Sequence, residues 1–182
     1  MRPFRLALAV LALSGCAQRM PSLTAPALAS SEASLASAPA PLEFSVKRYP
    51  GGEPYSIASD RGSVVLLDVW ATWCAPCRDA LPMYQDLAKH YASRGLKVYA
   101  LNVDADTRGI PAFLEEAKVT ALPVLLDADA EVSEKVLKIR GMPTTVLLDR
   151  KGVVRYVHEG FAEEFLSKYQ AEIEELLAEP AK

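Results

Sequence analysis

The chain has 182 residues, of which 51% are hydrophobic, a size and composition that suit one folded domain with appended segments. Lysine and arginine total 20 against 23 aspartate and glutamate residues, for a formal net charge of −3. This mildly acidic balance lacks the basic footprint typical of proteins that bind nucleic acid or anionic lipid.

The first 15 residues have the pattern of an export signal. Two arginines precede an apolar run, 6–13, that is too short to span a membrane. The run ends in Leu13-Ser14-Gly15-Cys16, which resembles the lipobox of bacterial lipoproteins, where the cysteine is lipidated and becomes the new N-terminus. We therefore expect a lipid anchor on Cys16. The alternative is an ordinary cleaved signal in which this cysteine has no role.

Residues 17–42 are rich in alanine, serine and proline, with few charges and no sustained periodicity. We interpret them as a flexible tether, because four prolines oppose the helix that alanine would favour. The predicted organisation is a signal peptide over 1–15, a lipidated cysteine and tether over 16–42, and a folded domain over 43–182. The absence of an aspartate directly after Cys16 favours anchoring in the outer membrane over the inner one.

The folded part begins with strand patterns. Alternating residues around Gly51-Gly52 predict a short hairpin of strands 44–46 and 55–57. Residues 63–70 form an apolar run typical of a central strand buried on both faces. Asp68 interrupts this run, and because a buried carboxylate is costly we expect its pKa to be raised. The alternative is a solvated aspartate at a sheet edge.

The central strand leads directly into Trp73-Cys74-Ala75-Pro76-Cys77, and an amphipathic helical pattern follows. Strand, Cys-x-x-Cys and helix in this order indicate a redox-active dithiol. Cys74 is expected in the first helical turn, where the helix dipole favours a thiolate, and is the predicted nucleophile. Cys77, one turn further in and more buried, is expected to resolve the mixed disulfide.

A zinc half-site is the alternative interpretation of the two cysteines, but it needs two further ligands. The chain has only two histidines, His90 and His158, which we interpret as surface or packing residues. We therefore predict that the protein binds no metal.

The rest of the chain alternates strand and helix patterns. Strands are predicted at 97–103, 123–126, 144–149 and 153–158, and helices from Cys77 to Gly95 and at 110–118, 131–137 and 161–178. Pro82 should kink the first helix. This order predicts an α/β fold with a mixed β-sheet covered by helices on both faces.

Three groups of residues carry a resemblance to a known family: the Trp73–Cys77 motif, Pro82, and Gly141-Met142-Pro143-Thr144-Thr145. With them, residues 42–178 resemble the TlpA/ResA-like group of exported, membrane-tethered thiol-disulfide oxidoreductases. The resemblance implies a thioredoxin fold with an N-terminal hairpin extension. It also implies a cis peptide bond before Pro143, in a loop that faces the dithiol. Trp73, Met142 and Pro143 are then the predicted substrate-binding residues, with the Met142 backbone pairing with an extended substrate.

The resemblance also gives Asp68 a role. Thioredoxins carry an aspartate at this position, where it assists proton transfer to and from the second cysteine, and we predict the same role with Cys77 as partner. Many ResA-like proteins instead carry an asparagine there and a glutamate three residues after the second cysteine, where this chain has Ala80. The acid–base group is therefore predicted to be of the thioredoxin kind.

The leading hypothesis is a lipid-anchored oxidoreductase that faces the periplasm and reduces disulfides of exported proteins. A reducing role is predicted because the Ala75-Pro76 spacer adds no charge that would stabilise the thiolate. The resemblance implies disulfide-containing exported proteins, apocytochrome c among them, as substrates and a membrane thiol reductant of the DsbD or CcdA type as donor. We expect a monomer without a cofactor.

Two alternatives remain open. One is a binding or chaperone-like lipoprotein of thioredoxin fold that holds extended partners at Met142-Pro143. The other is a thiol peroxidase that uses the same cysteine pair. A peroxiredoxin would place a threonine three residues before the reactive cysteine, whereas Thr72 lies two residues before Cys74.

Overall fold

The structure is a computed structural model that describes residues 40–180. The predicted signal peptide, the predicted lipidated Cys16 and the tether as far as residue 39 lie outside the described residues. The predicted folded domain is therefore the part of the chain that the structure tests.

A seven-stranded mixed sheet forms the body of this domain, in the order β2-β1-β5-β4-β3-β6-β7. Its strands are β1 Ser45–Tyr49, β2 Pro54–Ser56, β3 Val64–Trp70, β4 Leu96–Asn102, β5 Val124–Leu126, β6 Thr144–Leu148 and β7 Val154–Glu159. Strands β3, β4 and β5 are parallel, whereas β6 pairs antiparallel with β3, and β7 pairs antiparallel with β6. The predicted hairpin is present as β1 and β2. Strand β1 also pairs antiparallel with β5, which attaches the hairpin to the main sheet.

Three α-helices are present in the described residues: α1 Cys77–Tyr91, α2 Ile110–Glu116 and α3 Phe165–Ala178. Helix α1 continues through Pro82. Helix α3 begins four residues later than predicted, because residues 161–162 are irregular and 163–164 form a turn.

The predicted helix 131–137 is a π-helical segment, Glu131–Val136. Its start is held by the buried carboxylate of Asp127, which accepts hydrogen bonds from the N–H groups of Val132 and Ser133 at 3.1 and 2.7 Å. A side chain from the end of β5 thus supplies the cap that the segment itself lacks.

Strand β3 is buried along its whole length, as its apolar run predicts. Successive side chains of a strand point to opposite faces of the sheet. Val64, Leu66 and Trp70 pack with residues of all three α-helices, and the alternate residues Val65, Leu67 and Val69 pack with residues of the N-terminal segment and the π-helical segment. The predicted mixed sheet with helices is confirmed; the three α-helices pack on one face, and the other face is covered by the N-terminal segment and the π-helical segment. Asp68 alternates with Leu66 and Trp70 and therefore faces α1.

Candidate active site

The two cysteines of the motif lie between the end of β3 and the start of α1. They form a disulfide, with their Cα atoms 5.4 Å apart. Cys77 is the first residue of α1 and is fully buried, whereas Cys74 keeps 5% of its surface exposed. The predicted order of burial is confirmed, and Cys74 is the sulfur that a disulfide in solution can reach first.

Cys74 lies in the turn before α1, so its predicted position in the first helical turn was wrong. Its carbonyl accepts the N–H of Cys77 at 3.2 Å, and its own N–H donates to the carbonyl of Ala71 at 3.1 Å. Both bonds join residues three apart, which is a tighter turn than an α-helix makes. The uncapped, positive end of α1 still lies beside the dithiol and favours a thiolate there.

The turn that carries Cys74 is held from the end of β4. Asp104 is buried, and its Oδ2 accepts hydrogen bonds from the Thr72 N–H and from Asn102 Nδ2, both at 2.8 Å. The N–H of Asp104 donates to Asn102 Oδ1 at 3.1 Å. The pattern Asn102-x-Asp104 at a strand end is common to many loops, so nothing in the sequence marked this contact in advance.

Trp73 and Met142 line one groove of about 330 Å³ beside the dithiol. Trp73 is 70% exposed, which is unusual for so large an apolar side chain. The groove also has an apolar wall formed by Val69, Val103 and Ile139. Two charged residues, Glu134 and Arg140, line it as well. The structure therefore brings together two of the three residues predicted to bind substrate, and adds a wall from the π-helical segment and the residues after it.

The loop before β6 has the predicted backbone form. The Met142–Pro143 peptide bond is cis, and Pro143 is buried. The Thr144 hydroxyl donates to the Gly141 carbonyl at 2.7 Å, and the Gly160 N–H donates to the Pro143 carbonyl at 2.8 Å. No backbone hydrogen bond joins Met142 to any other of residues 40–180. Its N–H and C=O are thus available to a partner chain.

Asp68 is fully buried in a strand flanked by β4 and β6, so the sheet-edge alternative was wrong. Its Oδ1 accepts a hydrogen bond from Thr145 Oγ1 at 3.3 Å, and its Oδ2 has no partner within residues 40–180. Burial raises the pKa of Asp68 well above its ordinary value, and the hydroxyls of Thr145 and Tyr84 lower it only in part. The predicted direction of the pKa shift is confirmed.

Thr145 belongs to a buried cluster of three hydroxyl groups, which we call the hydroxyl cluster: Tyr84, Thr145 and Tyr169. The Tyr84 and Thr145 oxygens are 2.5 Å apart, and the Tyr169 oxygen lies 3.3 Å from each. Sequence periodicity places both tyrosines on the inner faces of their helices and indicates only packing. Their convergence on Asp68 depends on the pairing of β3 with β6, which the sequence does not specify.

The two histidines lie away from the dithiol motif in the sequence and have ordinary surroundings. His90 is exposed, and His158 Nε2 lies 2.6 Å from Glu172 Oε2. Across residues 40–180, no three histidine, cysteine, aspartate or glutamate side chains gather as a metal site would require. In the same range, no helix has the length and apolar character needed to cross a membrane.

Comparison with known proteins shows which family this chain resembles. Residues 36–157 match the AhpC/TSA family. The chain is 36% identical to the thioredoxin-like protein YneN of Bacillus subtilis over 121 residues, which are 65% of this chain and 68% of YneN. It is 30% identical to the thiol-disulfide oxidoreductase ResA of Bacillus subtilis over 119 residues, or 65% of each chain, so it spans slightly less than two thirds of that relative.

Among solved structures, a candidate thiol:disulfide interchange protein DsbE from Chlorobium tepidum superposes with a TM-score of 0.69 at 30% identity. The match covers 78% of this chain and 99% of the other. The fold, the cysteine pair and these similarities agree. The chain belongs to the AhpC/TSA family, as a thioredoxin-like thiol-disulfide oxidoreductase similar to ResA, with Cys74 and Cys77 as its Cys-x-x-Cys pair.

Proposed function

We propose that this protein reduces disulfide bonds of exported proteins by dithiol exchange through Cys74. The observation that carries the proposal is the arrangement at the dithiol. A slightly exposed Cys74 and a buried Cys77 lie beside an open groove, and the carboxyl group of Asp68 is buried on the α1 side of the sheet.

The reaction starts from the reduced protein. The Cys74 thiolate attacks one sulfur of the substrate disulfide, that S–S bond breaks, and one substrate sulfur leaves as a thiolate that takes a proton from water. Cys77 then gives its proton to the Asp68 carboxylate and attacks the Cys74 sulfur. The mixed disulfide breaks, the second substrate sulfur leaves as a thiolate that takes up a proton, Asp68 releases its own proton to water, and the protein is left with the Cys74–Cys77 disulfide seen in the structure.

The groove lined by Trp73 and Met142 suits an extended peptide segment around the target cysteine. The free N–H and C=O groups of Met142 would pair with the substrate backbone as a short added strand. Trp73, Val69 and Ile139 offer apolar contact to side chains next to that cysteine. This supports recognition of an unfolded or partly folded chain over a compact one.

The reducing direction rests on the spacer between the cysteines. Ala75 and Pro76 are exposed and uncharged, so they add nothing to the thiolate stability that α1 already supplies. A less stabilised thiolate means a lower reduction potential. Full turnover then requires a thiol donor, for which we propose a membrane thiol reductant of the DsbD or CcdA type.

The protein is proposed to be exported and held at a membrane by a lipid. The sequence pattern 1–16 supports export and a lipid anchor on Cys16, with the folded domain facing the periplasm and the outer membrane favoured. Metabolic labelling with a radioactive or clickable fatty acid tests the anchor directly. Label on the wild type and not on Cys16→Ser is expected, whereas equal labelling of both would exclude it.

A disulfide-reduction assay tests the activity. The full chain, supplied with dithiothreitol, should accelerate the precipitation of reduced insulin, and Cys74→Ser should abolish the acceleration. An inactive wild type would favour the binding-module alternative, and turnover of peroxide would favour the peroxidase. Redox titration against glutathione tests the direction. A midpoint near about −120 mV, the range of the strongly oxidising members of the fold, would contradict a reducing role.

Trapping would identify the substrates. Cys77→Ser cannot resolve the mixed disulfide, so it should accumulate complexes between Cys74 and its partners that mass spectrometry can name. The matched control is the double variant Cys74→Ser/Cys77→Ser, which should trap none.

A further inference from the structure

Asp68 is the one carboxyl group that β3 carries, and it contacts hydroxyl groups but no charge among residues 40–180. Thr145 stands directly opposite it in the antiparallel pairing of β3 with β6. Its Oγ1 lies 3.3 Å from Asp68 Oδ1 and 2.5 Å from the Tyr84 hydroxyl, which comes from α1. The Tyr169 hydroxyl, from α3, closes the cluster.

We propose that Thr145, Tyr84 and Tyr169 are positioning residues for Asp68, and that the hydroxyl hydrogens of Thr145 and Tyr84 change partner together when Asp68 gains or loses a proton. The inference rests on the proposed role of Asp68 as the proton acceptor for Cys77. It adds that the hydroxyl cluster, and not a nearby cation, offsets part of the effect of burial and so lowers the pH at which Asp68 takes that proton.

The same positions of the three hydroxyl oxygens can satisfy both the ionised and the neutral Asp68 side chain. Beside a carboxylate, Thr145 donates to Asp68, and the tyrosines donate towards Thr145, so every hydroxyl hydrogen points to the charge. Beside a neutral carboxyl, Asp68 donates to Thr145, Thr145 donates to Tyr84, and Tyr84 donates to Tyr169, while Tyr169 keeps donating to Thr145. Each hydroxyl can donate one hydrogen and accept others, so neither state leaves a hydroxyl oxygen without a partner.

The groups facing Asp68 from each neighbouring element support this assignment. Helix α1 contributes Cys77 and Tyr84 to the apolar cluster on this face, and β4 places the uncharged Ala100 opposite Asp68. From α3 and β7, the ionisable residues Glu172 and His158 lie beside the hydroxyl cluster, since the His158 and Tyr169 rings form a T-shaped pair with centroids 5.0 Å apart. Within residues 40–180, no lysine or arginine forms a hydrogen bond with Asp68.

The test measures the titration of Asp68 directly, by the pH dependence of its side-chain carboxyl ¹³C chemical shift in the full, disulfide-bonded chain. Thr145→Val is nearly isosteric and removes the one hydroxyl that donates to Asp68. It should raise the titration midpoint by about one pH unit, the size expected when a hydrogen bond to a charged group is lost. Tyr84→Phe should raise it less, and Thr145→Ser, which keeps the hydroxyl, should restore the wild-type midpoint.

The matched control is Tyr91→Phe, which removes a hydroxyl from the same helix two turns further along and should leave the midpoint unchanged. A Thr145→Val midpoint equal to or below that of the wild type would overturn the proposal. If Thr145→Val does not fold, Tyr169→Phe gives a second measurement. An unchanged midpoint in both Tyr84→Phe and Tyr169→Phe would likewise overturn the proposal.

A second readout separates this proposal from the role of Asp68 itself. The quantity measured, as a function of pH, is the rate at which Cys77 resolves a glutathione mixed disulfide on Cys74. The pH at which this rate changes should shift with the Asp68 titration midpoint of each hydroxyl variant. In Asp68→Asn the rate should no longer depend on pH around that midpoint. If Asp68→Asn leaves the rate profile unchanged, the proposed proton acceptor is wrong, while the titration still decides the hydroxyl cluster. If only Asp68→Asn alters the profile, the hydroxyl cluster has no part in it.

Discussion

The N–H of Thr72 donates to the carboxylate of Asp104 at 2.8 Å, so a residue at the end of β4 fixes the turn that presents Cys74. The same oxygen accepts Asn102 Nδ2. The dithiol thus depends on two strands, because β3 delivers the motif and β4 supplies the group that holds its backbone. Precise placement of the attacking sulfur matters for exchange, since the reacting atoms must approach in a fixed geometry.

Asp104→Ala should leave the buried side-chain amide of Asn102 and the part-buried N–H of Thr72 without this acceptor. We expect a loss of about 2 kcal/mol in the free energy of unfolding, measured by urea denaturation. We also expect a lower rate of insulin reduction under conditions where the variant is fully folded. Asp104→Asn keeps an oxygen acceptor for Thr72 and should recover most of the rate. Equal rates for Asp104→Ala and the wild type would show that the turn holds without this contact.

Asp68 should make the stability of the protein fall as pH rises. Its pKa in the folded state is raised by burial, so folding favours the protonated form. That contribution is complete below the unfolded pKa of about 3.9 and is lost as pH rises through the raised folded value. The unfolding free energy of Asp68→Asn relative to the wild type should therefore increase from acid to alkaline pH, as measured by urea denaturation at a series of pH values.

Asp60 should give the opposite pH dependence of the free energy of unfolding and is therefore an internal control. Burial raises its pKa, but hydrogen bonds from Lys97 Nζ at 2.6 Å and from the Tyr55 hydroxyl outweigh that effect, so the net pKa is lowered. Its stabilising contribution is present above the unfolded pKa and is lost as pH falls through the lowered value. Asp60→Asn should therefore cost stability at neutral pH, and the gap should close in acid. Parallel curves for the two variants would contradict both assignments.

Trp73 should matter for protein substrates and not for small ones. Trp73→Ala removes the exposed side chain of the groove without touching the cysteines, so we expect kcat/KM for insulin to fall about tenfold, the size of a moderate apolar contact. The rate with a small aromatic disulfide should stay within twofold of the wild type. Val157→Ala, at an exposed apolar side chain on β7, is the matched control and should change neither rate. Equal losses with both substrates would place Trp73 in the chemistry instead.

Much of this molecule follows from local sequence signals. The apolar run 63–70 predicts the buried β3, and helical spacing after Cys77 predicts α1. The cis bond before Pro143 follows from the resemblance to a family. These features depend on a few neighbouring residues or on one motif, and each was confirmed.

What the sequence could not show depends on contacts between distant segments. Nothing local indicates that β1 pairs with β5, that Asp104 holds Thr72, or that Thr145 meets Asp68. Cys74 was wrongly placed in the first helical turn, because the turn that carries it uses bonds between residues three apart that no propensity distinguishes from a helical turn. The role of Asp68 in proton transfer stays a prediction because it concerns the reduced Cys77, and the roles of Trp73 and Met142 stay predictions because each depends on a substrate chain docked at the groove.

Asp127 should determine the shape of the groove although it does not line it. Its carboxylate caps the π-helical segment through the N–H groups of Val132 and Ser133, and Ser133 and Glu134 line the groove. Asp127→Ala should therefore free two backbone donors, lower the free energy of unfolding by about 1–2 kcal/mol, and remove the hydrogen-exchange protection of those two amides.

This variant should raise KM for insulin and leave the rate with a small disulfide unchanged, because the groove wall is altered while the dithiol turn is not. Asp127→Asn retains one acceptor oxygen and should show an intermediate KM. The matched control is Asp129→Ala, an exposed aspartate two residues on, which should leave both KM and amide exchange as in the wild type. An Asp127→Ala variant that lost amide protection but kept its KM would show that the π-helical segment is not part of the substrate site.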